Sequence, residues 1–355
     1  MTTNIFAFVV VLGVLIFFHE LGHFLIARLC GVGVEKFSLG FGPRLFGKTV
    51  GLTDYRLSAI PLGGYVKMVG EEAGAEIDPA DIPLSFTHKP LIKRVLIVAA
   101  GPFFNLVLAV ILFFGIFQIS GTYLLESSVG AVRQGSPAEK VGLEKGDRII
   151  EIDGVSVSSW DEMALIISNS KGTLLEFSLK RGESLLVISI TPEKIRTKNI
   201  FGEDTERYVI GITASGELVP RELTVWGAVF ESVLKTYEIA KLTVVSIVKL
   251  IQGSVSTKTL GGPIMIAEIA GQQAKAGMTN FLFFIGLLSI NLAILNFLPI
   301  PVLDGGHLLF FFIEAVIGHP VSVKAREIAQ QAGIFALILL MIFVFYNDIT
   351  RIFFS

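Results

Sequence analysis

The chain has 355 residues, of which 52% are hydrophobic and 17% are charged, and its mean hydropathy is +0.70. This composition is too apolar for a water-soluble protein of this size, and it indicates several membrane spans together with some water-exposed mass. The formal net charge of −2 gives no indication of nucleic-acid binding. The single cysteine, Cys30, excludes an intrachain disulfide and a cysteine-based zinc site.

The first apolar segment, residues 4–29, is long enough to cross a hydrocarbon core of about 30 Å as a helix. It contains His19 and His23, whose four-residue spacing places both side chains on one face of a helix. Two neutral imidazoles so spaced can bind one zinc ion, and the adjacent Glu20 can take a proton from a water molecule at the metal. A charged residue in a membrane helix costs about 2.5–3.5 kcal/mol, so these residues indicate a function. The alternative is a pair of buried histidines satisfied by hydrogen bonds.

A glycine-rich loop follows at residues 34–94, and its basic residues crowd the ends that flank the membrane. The positive-inside rule therefore places this loop in the cytoplasm and the two histidines toward the cytoplasmic side of the bilayer. Within the loop, residues 55–68 alternate around a Pro/Gly centre and predict a β-hairpin or a hairpin-like loop. This hairpin either dips into the membrane interface near the metal or is an ordinary surface hairpin.

The second predicted span covers residues 95–119. Its Gly101-Pro102 pair indicates a kink, and Asn105 is interpreted as a polar contact between helices rather than as a catalytic group.

Hydropathy falls over residues 120–223, which predict a water-exposed α+β module. The pattern is a short helix, a glycine turn and an alternating strand, followed by a second helix and further strands; these lie at residues 135–154, 160–168, 174–179, 185–190 and 208–212. It resembles one PDZ domain of the bacterial membrane-protease type, a fold that binds peptide C-termini by adding a strand to a sheet edge. The alternative is a PDZ-like fold that acts only as a spacer or a steric filter.

Residues 225–251 are apolar at helical spacing but carry several charges, which favours an interfacial amphipathic helix or helix pair over a span. Residues 261–264 contain Gly-Gly-Pro and predict a re-entrant or surface turn. A third span is predicted at residues 280–298 and a short last span at residues 334–346.

Pro299 and Pro301 end the third span, so a carboxylate beyond them can enter a cavity rather than lipid. Asp304 falls at the same predicted depth as His19 and His23. Two histidines need a third protein ligand to leave zinc one open position, and Asp304 is the best candidate.

Nearby polar residues leave alternatives open. The amides of Asn291 and Asn296 can hold a substrate backbone or an oxyanion, or they can satisfy the carbonyls of the broken helix. His307 competes with Asp304 as a metal ligand. A role as a helix cap, or as a residue that contacts a ligand without binding the metal, is favoured for His307. Asp304 itself can be an unrelated helix cap.

These segments predict a polytopic α-helical membrane protein with about four transmembrane helices, an inserted α+β PDZ-like domain and a cytoplasmic-side β-hairpin. The first predicted division, residues 1–120, is the part of the membrane core with the HExxH helix and the hairpin loop, and residues 121–222 are the PDZ domain. Residues 223–279 are the interfacial helices, and residues 280–355 are the part of the membrane core with the Leu-Asp-Gly motif.

Three motifs, at residues 19–23, 63–68 and 296–306, together resemble the site-2 protease family of intramembrane zinc metalloproteases. Within it they resemble the bacterial regulator-of-sigma-E protease (RseP) branch, in a form with one PDZ domain. The resemblance implies an endopeptidase of the bacterial inner membrane that cleaves single-span membrane proteins in regulated intramembrane proteolysis. Anti-sigma factors and remnant signal peptides both fit as substrates, and the PDZ domain would lie outside the cytoplasm.

The resemblance also implies roles for single residues. His19, His23 and Asp304 would bind zinc, and Glu20 would be the general base. Substrate contacts would come from the segment after the third span and from the hairpin, which would pair with an unwound substrate; the residues are Asn296, Pro299, Pro301, Gly63, Gly64 and Tyr65.

Two other functions compete with proteolysis. A non-catalytic membrane adaptor would use its PDZ domain to bind exposed C-termini, and that binding would survive the loss of His23. A metal transporter would carry ionisable residues on several spans, whereas here they concentrate at two places, so this function ranks last.

Overall fold

We describe a computed structural model of the chain over residues 2–71, 77–199 and 201–354. The described helices are α1 Thr2–Leu29, α2 Leu91–Ser120, α3 Pro137–Lys140, α4 Trp160–Asn169, α5 Val225–Ile251, α6 Pro263–Ala276, α7 Met278–Asn296, α8 Asp304–Ile317 and α9 Val323–Phe354. The described strands are β1 Val34–Val50, β2 Thr53–Met68, β3 Thr122–Leu125, β4 Val129–Val132, β5 Arg148–Ile152, β6 Val155–Ser156, β7 Leu175–Arg181, β8 Ser184–Ile190, β9 Glu193–Lys198, β10 Asp204–Val209, β11 Ile212–Ala214 and β12 Leu218–Arg221.

The chain forms two compact units. The first comprises Met1–Ile116, Val229–Val248 and Ser256–Ser355, and the second comprises Phe117–Ala228 and Lys249–Val255. The second unit contains the segment predicted as the PDZ domain, residues 121–222, while the finer division of the chain stays a prediction.

Four of the described helices, α1, α2, α7 and α9, are long and apolar enough to cross a membrane. The first three match the predicted spans at residues 4–29, 95–119 and 280–298 closely. The last span was predicted too short, since α9 extends beyond residues 334–346 at both ends. Hydropathy identifies only the apolar part of a helix. The first turns of α9 carry charged residues, so hydropathy did not assign them to the helix.

One hydrophobic core of the first unit lies where α1, α2, α6 and α7 meet. Fully or nearly fully buried side chains from all four helices form it: Ala7, Val11, Leu15, Leu108, Ala270, Phe284 and Ile285. α5 is one continuous helix, and its buried small side chains, Ala228, Ser232 and Thr236, recur every fourth residue along one face. The described candidate spans do not include α5, and its interfacial amphipathic character stays a prediction.

The predicted hairpin at residues 55–68 was placed wrongly. The turn lies between β1 and β2 at Gly51, where the backbone φ is +60°, and residues 55–68 belong to β2. The Pro/Gly centre is a bend that lets β2 fold back, so that residues 36–39 of β1 pair with residues 54–57 on one side and residues 64–67 on the other. Residues 64–68 thus form an edge of this sheet, paired with β1 and with no other described strand.

The Gly-Gly-Pro turn predicted at residues 261–264 is instead the start of a helix, α6. Pro263 occupies the first turn, where its missing N–H costs no hydrogen bond. The buried Asp348 side chain of α9 accepts hydrogen bonds from the backbone N–H groups of Gly262 at 2.9 Å, Ile264 at 3.0 Å and Met265 at 3.2 Å. These bonds satisfy donors that a helix start leaves without an intrahelical partner.

The second unit is built on an antiparallel four-stranded sheet in the order β6-β5-β7-β8. Its largest fully buried side chains include Phe177, Ile149, Ile152, Met163 and Leu179. The predicted strand at residues 208–212 is wrong as one element. Gly211, with φ of +87°, turns the chain so that β10 pairs with β9 and β11 pairs with β4.

A buried ion pair within the second unit makes its stability depend on pH. Asp147 is fully buried and accepts two hydrogen bonds of 2.7 Å from Arg181 and one of 2.9 Å from the Glu144 backbone N–H. Burial opposes ionisation, but these bonds outweigh it and hold the pKa of the Asp147 carboxyl below its usual range. The pair therefore contributes its full stability above the unfolded-state pKa of about 3.9 and loses it as pH falls through the lower pKa of the folded state.

We expect the unfolding midpoint of the second unit in urea to fall as pH is lowered from about 5 toward 3. Both tryptophans, Trp160 and Trp226, belong to this unit, so the fluorescence of the full chain in detergent reports the transition. Asp147→Asn removes the titrating group and should flatten the pH dependence. An unchanged pH dependence in that variant would show that another group is responsible.

Candidate metal centre

The imidazoles of α1 and the carboxylate at the start of α8 meet at one point. The Nε2 atoms of His19 and His23 lie 3.3 Å apart. The Asp304 oxygens lie 3.2 Å from His19 Nε2 and 3.6 Å from His23 Nε2. Donor atoms of the three residues all lie within 4.8 Å of one another, and no other described cluster of His, Cys, Asp or Glu has this geometry.

The chain between α7 and α8 places Asp304 by close backbone packing. A Cβ at Gly305 would lie 2.1 Å from the Leu298 carbonyl oxygen, and one at Gly306 would lie 2.3 Å from the Ile300 carbonyl oxygen. Because neither position has room for a side chain, the first turn of α8 can fold against the proline-containing segment before it. Asp304 is thereby the first residue of α8, with its carboxylate facing α1.

An ion pair ties α8 to α2. Arg94 donates two hydrogen bonds to Glu314, at 3.1 and 2.5 Å, and both side chains are largely buried. The Arg94 guanidinium also lies 5.1 Å from the ring centroid of Phe311. A bidentate pair fixes orientation as well as distance, so the helix that carries Asp304 has a defined position against α2.

One face of α2 lies directly against the two histidines. Its residues at four-residue spacing are Ile97, Gly101 and Asn105. His23 Nδ1–H donates to the Ile97 carbonyl oxygen at 2.8 Å, and Asn105 Nδ2 lies 3.4 Å from His19 Nδ1. The sequence reasoning treated Gly101 as part of a kink and Asn105 as a contact between helices. The four-residue spacing of Gly101 and Asn105 was the sequence signal that both lie on the face of α2 that contacts the histidines.

The residues fit zinc. Two imidazole nitrogens and one carboxylate are a known set of three protein ligands for catalytic zinc, which leaves a fourth position open. The Asp304 Oδ2 atom is buried and lies 3.2 Å from His19 Nε2 without a hydrogen bond between them, so a cation shared by these two atoms would compensate the charge of the carboxylate.

Glu20 lies beside the edge of the sheet. A Cβ at Gly64 of β2 would lie 3.2 Å from Glu20 Cγ and 2.8 Å from Ile16 Cγ2, so the glycine lets the edge strand approach α1 closely. The strand edge at residues 64–68 and the carboxylate next to His19 are therefore neighbours.

A cavity of about 600 Å³ opens at this edge. It is lined by Tyr65, Val66, Lys67, Glu71, His307, Val323, Arg326, Glu327 and Gln330. His307 lies in this lining and outside the three-residue donor cluster, which does not support the alternative that it is a ligand.

The other predicted substrate residues lie along α7 and after it. Asn291 Oδ1 accepts a hydrogen bond of 2.7 Å from Thr243 Oγ1 of α5. Asn296 is the last residue of α7, while Pro299 is exposed and Pro301 is half-buried. Their roles with substrate, like those of Gly63, Gly64 and Tyr65, stay predictions.

Comparison with known proteins decides the family. The family model described as peptidase family M50 matches residues 7–340. The chain belongs to peptidase family M50. This membership confirms the resemblance to the site-2 proteases and the prediction of a metalloprotease. Together with the four apolar helices, it indicates that the M50 chain is an integral membrane protein.

Relatives of this M50 chain are similar over almost their whole length. The three relatives that follow each carry the name "Putative zinc metalloprotease". The relative from Mesorhizobium japonicum is 37% identical and the match covers 96% of this chain and 97% of the relative. The relative from Agrobacterium fabrum is 36% identical, covering 99% and 97%. The relative from Campylobacter jejuni is 39% identical, covering 98% and 93%.

The solved structures that are similar to part of the M50 chain include a PDZ domain. It is the PDZ domain of the SdrC-like protein from Listeria monocytogenes, which is 26% identical and has a TM-score of 0.21. The match covers 26% of this chain and 90% of that one.

Proposed function

We propose that this M50 protein is a zinc-dependent intramembrane endopeptidase that cleaves single-span membrane proteins. The observation that carries the proposal is the meeting of His19, His23 and Asp304 at a helix long and apolar enough to cross a membrane. The names of the relatives support zinc as the metal. Ionisable groups in such a helix are costly and are retained for function.

Peptide hydrolysis needs a base beside the metal ligands. Zinc held by His19, His23 and Asp304 would polarise the scissile carbonyl and lower the pKa of water toward about 7. The Glu20 carboxylate takes a proton from the attacking water as the new C–O bond forms. It then gives that proton to the leaving nitrogen as the C–N bond breaks, which yields a carboxylate and an amine.

The edge of the sheet gives an unwound substrate its hydrogen-bond partners. A transmembrane helix has no free backbone groups, so the scissile segment must first lose its helical hydrogen bonds. The backbone of residues 64–68 pairs with β1 on one side and with no described strand on the other, where the Met68 N–H donates to Glu71 Oε2 at 3.0 Å. Strand addition at this edge replaces part of what is lost. Gly64 stands at this edge next to Glu20, Tyr65 lines the 600 Å³ cavity, and Gly63 directly precedes the edge.

The second unit has a groove suited to a peptide. It lies between α4, through Trp160, Met163 and Ile167, and the backbone of residues 207–212. We propose that this unit is a PDZ domain, which either binds exposed C-termini or filters substrates by size. Asn291, Asn296, Pro299 and Pro301 complete the proposed substrate contacts.

The proposed location is the inner membrane of a bacterium. The basic loop after α1 supports a topology with the metal centre toward the cytoplasm and the PDZ domain outside. Anti-sigma factors and remnant signal peptides are the proposed substrates, as in the RseP branch.

The test combines metal analysis with cleavage by the purified chain in proteoliposomes. We expect about one zinc ion per chain, loss of that zinc in His23→Ala, and cleavage of a single-span substrate that stops with a chelator and returns with added zinc. Cleavage that is insensitive to chelation would contradict the proposal. An adaptor would instead bind C-terminal peptides in both wild type and His23→Ala and cleave nothing.

A further inference from the structure

The buried amide of Asn105 has one atom without a partner. Asn105 lies in α2 with no exposed surface, and its Oδ1 has no hydrogen-bond partner among the described residues. Its Nδ2 lies 3.4 Å from His19 Nδ1. A buried amide oxygen without a donor costs about 1–3 kcal/mol, so its place in the metal centre needs an explanation.

The neighbouring histidine shows what a ligand imidazole needs. His23 Nδ1–H donates to the Ile97 carbonyl oxygen, which can only accept. The proton of neutral His23 is therefore held on Nδ1, and Nε2 keeps its lone pair for a metal. His19 also directs Nε2 at Asp304 and so also needs an acceptor at Nδ1. The Asn105 amide of α2, four residues beyond Gly101, lies within 3.4 Å of that nitrogen.

We propose that Asn105 is the positioning residue of His19, with its Oδ1 accepting the Nδ1–H hydrogen bond. This inference rests on the proposed zinc site. An imidazole that binds metal through Nε2 carries its proton on Nδ1, and two donors cannot face each other across 3.4 Å. A half-turn of the amide about Cβ–Cγ exchanges Nδ2 and Oδ1, giving the proton an acceptor and locking the ring in the metal-binding tautomer.

The contact between helices does not require this side chain. Ser289 Oγ of α7 donates to the backbone oxygen of Asn105 at 2.7 Å, and any residue at position 105 supplies that oxygen. The helix contact and the proposed positioning role therefore belong to different atoms, and substitutions can separate them.

The experiment measures zinc affinity by chelator competition on the full chain in detergent. Asn105→Leu has a similar volume but no acceptor, and we expect about 10–100-fold weaker zinc binding. Asn105→Asp keeps an acceptor and should bind at least as tightly as wild type. Ser289→Ala is the matched control, since it removes the helix contact but not the amide and should leave the affinity unchanged.

Each result of this experiment either supports or overturns the positioning role of Asn105. Wild-type affinity in a folded Asn105→Leu chain would overturn the positioning role and leave the zinc site standing. If the leucine variant does not fold, Asn105→Ala takes its place as the variant without an acceptor. Tenfold weaker binding in Asn105→Asp would also overturn the role. A wild-type chain that binds no zinc would refute the proposed metal centre itself.

Discussion

Replacing Glu20 with glutamine should lower the rate of peptide cleavage by about 10²–10⁴-fold, the usual contribution of a general base. Glutamine keeps the shape of glutamate but cannot take a proton from water. Since Glu20 is not one of the three clustered donor residues, zinc should remain bound. The measurement is single-turnover cleavage of a single-span substrate in proteoliposomes, with the zinc content determined on the same preparation.

The zinc content separates the explanations. Cleavage lost with zinc retained supports the role of Glu20 as base, whereas cleavage lost together with zinc indicates a structural role. Turnover close to that of wild type would remove Glu20 from the mechanism.

Replacing Gly101 with alanine should remove zinc from the protein almost completely. A Cβ at this position would lie 2.3 Å from His23 Nε2 and 2.8 Å from His19 Cε1, distances that real atoms do not tolerate. The histidines must move, and His23 would lose its hydrogen bond to Ile97 or α2 would retreat from α1. The measurement is zinc stoichiometry by elemental analysis, together with cleavage, and we expect both to fall to background.

Gly115 provides a matched control in the same helix. A Cβ there meets nothing within 4 Å, so Gly115→Ala should keep zinc and activity. It should also raise stability slightly, because alanine favours helix over glycine by about 1 kcal/mol. Full zinc occupancy in Gly101→Ala would contradict the close contact between α2 at Gly101 and the two histidines.

The four-residue spacing of the histidines predicted one half of the candidate metal centre. The end of the third span at the two prolines predicted the other half. His19 and His23 share a face in any helix, so their pairing follows from sequence alone. Asp304 was predicted from its depth and from the prolines before it, and the structure does bring it to the histidines. Neither inference needed the packing of α2.

The features that were missed depend on long-range packing. Gly101 and Asn105 matter because one face of α2 meets α1, and hydropathy does not say which face that is. The bend in β2 resembled a hairpin turn because Pro and Gly favour turns, but pairing with β1 decided the register. Similarly, the start of α6 depends on Asp348, which is far away in the chain.

That distance has a consequence for the order in which the protein is made. Gly262 and Asp348 are 86 positions apart, so α6 leaves the ribosome long before the residue that caps it exists. Until then, the N–H groups of Gly262, Ile264 and Met265 lack the acceptor that α9 provides. Because α6 packs on residues 7–15 of α1, the start of this packed helix gains its side-chain acceptor only after α9 has been synthesised.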